Sequence, residues 1–384
     1  MRIAIASRQV SGVTGTTTTI LEHCRRLKGK GVETHVFGEK LDAGRIAASG
    51  GVPRRLPGWP WGSRLKRRLF AWVFERAAKA ERFDLVWGHG DTLNQDVLSL
   101  HNCVHAAAEA VTGTPLPSSS GVGLIHGRIL AEKRFRLLIA NSRLMKEEVV
   151  RRFGVPADRA AVIHPGYDPA RFRPEDRGQG LEVRRGLGVG EGEVLVGLIS
   201  SGDFEKRGVA RFLEALGGLP PGIRAGLHAL VMGRETRLAP YRERAAAVGL
   251  GARVHFMPPS DEVARFYHAL DLYVHPALYE EFGQSVQEAM ACGVPVLTNA
   301  RVGAAELFAG KGGLVLPDAG AESLRGDGAS SRGPGHAPGL GPPGPGGCRG
   351  QHLGPELRAH LGVLGTPPAG FRPLNGASVD NKVE

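Results

Sequence analysis

The chain has 384 residues, of which 42% are hydrophobic, and a formal net charge of +11. Its length fits two domains with buried cores, and no run of 18 apolar residues exists, so we predict no membrane-spanning helix. Met1-Arg2 leads directly into an apolar strand-like run, which leaves no room for a signal peptide. The four cysteines are scattered without a Cys-x-x-Cys pair. They indicate the reduced thiols of a cytosolic protein, and neither a disulfide framework nor a zinc site.

Strands and helices alternate from the N-terminus onward. Strand-like runs cover 2–6, 33–37, 85–87 and 137–140, and helical patterns cover 18–28, 65–81 and 143–153. This alternation predicts a parallel sheet with helices on both faces. The first strand turns through Gly12 and Gly15 into a helix, the position at which Rossmann-like domains bind anions. The glycine spacing is not a dinucleotide fingerprint, so a plain strand–helix turn fits it equally well.

The excess positive charge lies in residues 1–82, which contain 17 Lys/Arg and 6 Asp/Glu. Its densest part, residues 54–82, interleaves basic residues with Trp and Phe. This mixture suits an anionic membrane surface, where cations contact headgroups and aromatic rings settle at the interface. The alternative is a solvated basic helix whose aromatic side chains pack inward, and nucleic acid could use the same charges. We predict contact with an anionic membrane through 54–82 and no nucleic-acid partner.

The pattern breaks at residues 164–192, which are interrupted by Pro and Gly. We interpret this stretch as the crossing between an N-terminal domain, 1–165, and a second β/α series in 166–325. Residues 326–384 contain 15 Gly and 9 Pro in 59 positions, too many for a packed domain, so we expect a mostly disordered tail. A reading-frame change in the gene and a genuine flexible tail would both explain this composition.

The most specific signal lies in residues 273–308. A strand-like run opens into a loop with Glu280, Phe282 and Gly283, and a helix follows with Glu288 eight positions after Glu280. This arrangement brings two carboxylates and the N–H groups of a helix N-terminus to the ligand edge of an α/β unit. It predicts a site for a sugar nucleotide.

The segment 279–297, YEEFGQSVQEAMACGVPVL, resembles the signature of family 4 glycosyltransferases. These are retaining enzymes with the GT-B fold, in which two Rossmann-like β/α/β domains face each other across a cleft. The Glu-x₇-Glu spacing, the Phe-Gly pair and Glu-Ala-Met-Ala-x-Gly-x-Pro-Val are all present. Family-like stretches at 139–172 and 199–216 precede the motif in the expected order, and SSGDFEKRG favours the lipopolysaccharide core glucosyltransferase I type.

The resemblance implies a role for each matching residue in the donor half of the site. Glu288 would accept both ribose hydroxyls of the nucleotide, since its two oxygens can take one hydroxyl each. Glu280 would contact the donor sugar and help to stabilise an oxocarbenium-like transition state; the adjacent Glu281 lacks the eight-residue spacing. Backbone N–H groups at the helix start would bind a sugar hydroxyl or a phosphate oxygen. They belong to Phe282, Gly283, Gln284 and Ser285.

Two cations, Lys206 and Arg207, match a family pair that grips the diphosphate and stabilises its charge as it leaves. In the family Lys directly precedes the glycine, whereas here Arg207 does, so the division of labour between them stays open. His101, in a His-Asn pair that resembles the family's His-Asp, would approach the donor sugar, with His89 and His105 as competitors.

Three further observations complete the predicted site. Gly15, in the first turn, would touch phosphate or acceptor, and Glu306 matches a family segment beside the nucleotide. There is no Asp-x-Asp pair and no His/Cys cluster with metal spacing. We therefore predict neither a metal nor another cofactor, with the nucleotide sugar as the donor substrate.

These observations predict a retaining hexosyltransferase that uses a UDP-, GDP- or ADP-sugar. Its acceptor would be a glycolipid or a cell-envelope saccharide, and the enzyme would be cytoplasmic and peripheral on the inner face of the cytoplasmic membrane. One alternative is a soluble transferase that makes a disaccharide or a glycosylated metabolite. Another is an impaired sugar-nucleotide-binding protein, because nothing after residue 325 resembles the family's C-terminal helices.

Overall fold

A computed structural model describes residues 1–12, 14–60, 63–174, 177–308 and 314–316. The chain divides into two compact units, Met1–Pro165 and Gly166–Glu384. The Gly/Pro-rich tail predicted for 326–384 lies outside the described residues. In the described part, no helix is both long enough and apolar enough to cross a bilayer.

The first unit is built on a seven-stranded parallel sheet in the order β5-β3-β1-β6-β7-β8-β9. A short pair, β2 and β4, lies beside it. Its strands are β1 (Arg2–Ala6), β2 (Gln9–Val10), β3 (Glu33–Gly38), β4 (Lys40–Leu41), β5 (Gly51–Arg55), β6 (Leu85–Gly88), β7 (Val97–Leu100), β8 (Leu137–Ala140) and β9 (Ala160–Val162). Its helices are α1 (Gly15–Lys28), α2 (Ala43–Ala48), α3 (Ser63–Glu81), α4 (Val104–Thr112), α5 (Gly121–Glu132) and α6 (Arg143–Phe153).

The second unit has a six-stranded parallel sheet in the order β12-β11-β10-β13-β14-β15. Its strands are β10 (Val194–Ile199), β11 (Leu227–Met232), β12 (Val254–Met257), β13 (Leu272–His275), β14 (Val296–Asn299) and β15 (Leu314–Leu316). Its helices are α7 (Arg177–Gly186), α8 (Val209–Gly217), α9 (Pro221–Ala225), α10 (Ala239–Ala247), α11 (Val263–Ala269) and α12 (Gln284–Ala291).

Strand alternation divides the second core between the two faces of this sheet. In β13, Tyr273 joins the cluster that packs on α12, while Leu272 and Val274 join the cluster that packs on α8. Both faces are therefore covered, as the β/α alternation predicted. Two β-α parallel sheets, one in each unit, are the architecture expected of the GT-B fold.

The strands and helices predicted from the sequence are present, and several of their ends are shifted by one to three residues. Helix α1 begins at Gly15 and not at 18, because the Thr14 side chain accepts from the Thr17 N–H and caps it. Strand β14 begins only at Val296, because the Val294 N–H still closes the preceding helix by donating to the Ala289 carbonyl.

The stretch 164–192 was predicted to be a crossing, but it also contains helix α7. Arg184 of α7 anchors this helix to the sheet. Its guanidinium donates to Asp271 Oδ2 at 2.7 Å, and the Leu195 N–H donates to the same oxygen at 2.8 Å. Asp271 is 6% exposed, so its buried charge depends on donors such as these.

We expect Asp271→Ala to lower the free energy of unfolding by about 3 kcal/mol, because it leaves the Arg184 charge without its partner in a buried setting. Urea unfolding monitored by circular dichroism measures the change. Glu262→Ala removes the partner of Arg265 at the surface and serves as the control, with an expected change within about 0.5 kcal/mol. Equal effects of the two substitutions would contradict the anchoring role.

Candidate functional site

In the second sheet, the strand order reverses between β10 and β13. From β10 the chain moves outward to β11 and β12, and then returns to β13 on the other side of β10. Open parallel sheets bind ligands at such a switch point, beyond the carboxyl ends of the strands. The loop after β10 carries Lys206 and Arg207, and the loop after β13 carries Glu280 and Glu281.

Backbone contacts hold these two loops together. The Leu278 N–H donates to the Lys206 carbonyl at 2.9 Å. Gly208 has φ of +73°, and a Cβ atom there would collide with the Pro276 carbonyl oxygen. Glycine at this position therefore permits the close approach of the loops.

Each predicted diphosphate-binding cation contacts a carboxylate of the neighbouring loop. Lys206 Nζ lies 2.9 Å from Glu281 Oε2, and the Arg207 guanidinium forms an ion pair with Glu280. Glu280 is 8% exposed and Glu281 is 3% exposed. Charges this buried require partners, and each cation supplies one. Glu281, which the spacing rule set aside, is thus part of the site.

A third loop fixes the backbone of Glu280. The Glu280 N–H donates to the Arg301 carbonyl, and the Gly303 N–H donates to the Glu280 carbonyl, both at 2.9 Å. The Gly303–Phe308 turn that follows carries Glu306. Glu306 is thereby held next to the carboxylate loop through the backbone.

Helix α12 begins beside this loop, with Gly283 as its N-cap at φ of +97°. Its first N–H groups, from Gln284 and Ser285, lack intrahelical acceptors by the geometry of a helix start. Phe282 lies one residue before the cap, and its ring is 3% exposed in the core. The helix start predicted at Phe282 is therefore wrong by two residues, and the Phe282 side chain belongs to the core.

Glu288, one turn into α12, accepts a hydrogen bond from the Tyr267 hydroxyl at 3.0 Å. Burial raises the pKa of Glu288 from its ordinary 4.5 to about 7, and the Tyr267 hydrogen bond and the charge of Arg171 oppose the rise only in part. This carboxyl therefore titrates near neutral pH.

His275 was not selected from the sequence, although it lies at the end of β13. It is 1% exposed, and its Nε2 atom is 3.7 Å from Glu280 Oε2. The signal in the sequence was the polar residue that ends an otherwise buried strand, two positions after Tyr273 and therefore on the same face.

The predicted residues of the first unit lie at the carboxyl edge of its own sheet. His101 Nε2 is 2.8 Å from His89 Nδ1, so the two competing histidines are one pair. Burial lowers the pKa of His101 to about 4 and also lowers that of His89, which keeps both rings neutral. His105 stacks edge-on against Phe153. Gly15 is the first residue of α1.

Among the described residues, no group of three or more His, Cys, Asp or Glu side chains has the geometry to hold a metal ion. The positive charge available at the second-unit edge comes from Lys206, Arg207 and the N-terminus of α12.

Two family models match the chain. One, described as Glycosyltransferase Family 4, matches residues 13–171, and one described as Glycosyl transferases group 1 matches residues 184–326. A D-inositol 3-phosphate glycosyltransferase of Rhodococcus opacus (strain B4) is 31% identical over 191 residues, 48% of this chain and 41% of the relative. The lipopolysaccharide glucosyltransferase WaaG of Escherichia coli (strain K12) is 35% identical over 155 residues, 40% of each chain. The matched segment thus spans about two fifths of the length of these relatives.

Solved structures of similar fold cover more of the chain. The crystal structure of WaaG has a TM-score of 0.69 at 22% identity and covers 82% of this chain and 85% of its own. The structure of Anabaena HepE in complex with UDP-glucose has a TM-score of 0.65 at 20% identity and covers 84% of this chain and 87% of its own. At these identities the similarity establishes the GT-B fold.

We expect Glu288→Gln to stabilise the protein above pH 7 but not at pH 4.5. Between 4.5 and about 7 the folded state keeps a proton that the unfolded state has lost, so ionisation of Glu288 lowers stability as pH rises through this window. Glutamine has no proton to lose. The difference in Tm between the variant and the native chain should therefore grow from pH 4.5 to pH 8.

Differential scanning calorimetry across this pH range makes the measurement. Glu243→Gln, at an exposed position of α10, is the matched control and should give a constant difference. A constant difference for Glu288→Gln as well would rule out the raised pKa.

Proposed function

We infer, from the premise that this chain belongs to glycosyltransferase family 4, that it transfers a hexose from a nucleotide sugar with retention of configuration. The acceptor we propose is a glycolipid or cell-envelope saccharide. The proposal depends on a cluster of four charged side chains at the switch point of the second sheet: Lys206, Arg207, Glu280 and Glu281. Glu288 lies one turn into α12, the helix that follows the loop of Glu280 and Glu281.

The cations fit the diphosphate of such a donor. A nucleoside diphosphate leaves with growing negative charge, and Lys206 and Arg207 would stabilise that charge directly. Both cations pair with carboxylates of the neighbouring loop. A bound diphosphate would compete for them, so donor binding would exchange these partners and release the Glu280 carboxylate toward the sugar.

Glu288 fits the ribose of the nucleotide. An ionised carboxylate can accept from two neighbouring hydroxyls, and charge-assisted hydrogen bonds of this kind are worth about 1.5–3 kcal/mol. The raised pKa means that ribose binding would also draw a proton off Glu288 near pH 7. UDP-glucose, which is bound in a structure of HepE, is a donor of the required class.

The proposal also includes attachment to an anionic membrane through α3. The helix carries Phe70 and Phe74 on its inner face, where they are 1% and 0% exposed, so the inward-packing interpretation holds for these rings. The outer face differs. Leu65 and Trp72 are 49% and 55% exposed, and the Arg76 guanidinium lies 5.1 Å from the centre of the Trp72 ring.

The outer face of α3, here called the α3 stripe, consists of positions separated by three or four residues. They are Leu65, Arg68, Trp72, Arg76 and Lys79, all exposed. Other cations of the segment have partners within the protein: Arg67 Nη1 is 2.5 Å from Asp91 Oδ1, and Arg54 pairs with Glu81. The α3 stripe therefore offers three cations and two apolar side chains to a membrane surface.

The donor is tested by a thermal-shift panel of UDP-, GDP- and ADP-glucose at pH 8, where Glu288 is ionised. We expect one of them to raise the Tm of the native chain. Glu288→Ala should suppress the shift through loss of the ribose contact, and Arg207→Met through loss of the diphosphate contact. Arg237→Met, at an exposed position beyond β11, is the control and should respond like the native chain. No response from the native chain, or equal responses from all variants, would defeat the proposal.

The membrane contact is tested by flotation with vesicles of neutral lipid and with vesicles containing an anionic lipid. We expect the native chain to float with anionic vesicles only. A double variant, Arg68→Glu and Arg76→Glu, reverses two charges of the α3 stripe and should remain unbound. Arg185→Glu with Arg237→Glu makes the same change of net charge in the second unit and should still float. Failure of the native chain to float would favour the soluble transferase.

A further inference from the structure

A buried histidine at the end of β13 has one ring nitrogen that the protein leaves without a partner. His275 is 1% exposed, and its Nε2 has no hydrogen bond. The ring lies 6.0 Å from that of Tyr273 at an interplanar angle of 16°. Buried polar atoms of this kind are uncommon, because an unmade hydrogen bond costs about 1–3 kcal/mol.

The hydroxyl of Tyr273 determines which nitrogen of His275 carries the proton. Its oxygen lies 2.8 Å from the Ile199 carbonyl oxygen, 2.8 Å from Ser285 Oγ and 3.1 Å from His275 Nδ1. A phenol has a single proton, and a carbonyl can only accept, so the Tyr273 proton goes to Ile199. The two remaining contacts must then reach Tyr273 as donors, which assigns a proton to Nδ1 of His275.

With Nδ1 protonated, Nε2 is a hydrogen-bond acceptor as long as the ring is neutral. Burial, reinforced by the charges of Arg207 and Lys206, lowers the pKa of His275 to about 3, so the ring is neutral at pH 7. The carboxylate oxygen of Glu280, 3.7 Å away, is also an acceptor and cannot satisfy it. Two acceptors thus face the same small region, and of the two only Glu280 has a donor, the Arg207 guanidinium.

We propose that His275 is a specificity-determining residue for the donor sugar, whose Nε2 accepts a hydrogen bond from a hydroxyl next to the one that Glu280 binds. Neighbouring hydroxyls of a hexose would supply two donors side by side, one for His275 Nε2, which has no donor, and one for Glu280, in place of Arg207. The inference rests on the proposed function. The Arg207 guanidinium forms an ion pair with Glu280. A diphosphate that attracts Arg207 would leave both acceptors open to the sugar.

If Nε2 binds the sugar, His275→Asn and His275→Gln should differ in their effect on sugar binding. A purely structural role of His275 predicts no such difference. His275→Asn keeps an N–H near the position of Nδ1, for the contact with Tyr273, but has no acceptor at the position of Nε2. His275→Gln offers an amide oxygen near the position of Nε2. If the sugar contact exists, asparagine should abolish it and glutamine should restore part of it.

The test compares the affinities for UDP-glucose and for UDP by calorimetry, or for whichever pair in the thermal-shift panel stabilises the native chain most. We expect His275→Asn to weaken binding of the nucleotide sugar about tenfold, the effect of one lost hydrogen bond, and to leave the diphosphate unchanged. His275→Gln should recover part of the loss. A series of deoxy-sugar donors should show one hydroxyl whose removal weakens binding to the native chain but not to His275→Asn.

A second readout does not depend on affinity. In protein labelled with ¹⁵N-histidine, the signal that disappears in His275→Asn should have the pattern of a neutral ring protonated at Nδ1. Its Nε2 resonance should shift with the nucleotide sugar but not with the diphosphate.

The outcomes distinguish failure of the proposed donor site from failure of the His275 contact with the sugar. If the native chain binds neither ligand, the proposed function fails, and the role of His275 fails with it. If the diphosphate binds but His275→Asn weakens both ligands equally, or neither, the donor site stands and the sugar contact is wrong. A signal protonated at Nε2 would also overturn the assignment.

Discussion

The arrangement of the second unit depends on a pairing of buried charges between two loops. Lys206 and Arg207, after β10, contact Glu281 and Glu280, after β13, and all four side chains are largely withdrawn from water. A buried charge without a partner is far more costly than a paired one, so each loop requires the other. Gly208 and the Leu278 hydrogen bond complete the contact through the backbone. The same groups that stabilise this pairing are those that we propose bind the nucleotide sugar.

Beneath these charges, side chains of strand, helix and loop form a series of polar contacts along one face of the sheet. Tyr267 binds Glu288, Tyr273 binds Ser285, and His275 lies near Glu280. Each aromatic side chain is buried, so its polar atom has few possible partners and its proton is assigned by elimination. Burial is also what raises the pKa of Glu288 and lowers that of His275. The protonation of this face therefore follows from packing.

Much of the fold could be predicted because the spacing of apolar residues along the chain follows which side chains are buried. Buried parallel strands such as 194–199 and 227–232 are nearly continuous apolar runs that the sequence pattern displays directly. Helix α7 was missed because its three glycines and the neighbouring prolines resemble a linker, whereas packing against α11 and the Arg184–Asp271 contact stabilise it. For the basic segment 54–82, the sequence pattern did not show which aromatic side chains face inward. The packing of α3 on the sheet decides this.

The sequence by itself determined the family signature and the eight-residue interval between Glu280 and Glu288, since both are local in the chain. Only the tertiary structure decided that Glu281 pairs with Lys206, that His101 and His89 form one pair, and that His275 faces Glu280 with an unfilled acceptor. The reason is physical. Residues such as Lys206 and Glu281 are 75 positions apart, and their contact arises because neighbouring strands of a parallel sheet end at the same edge.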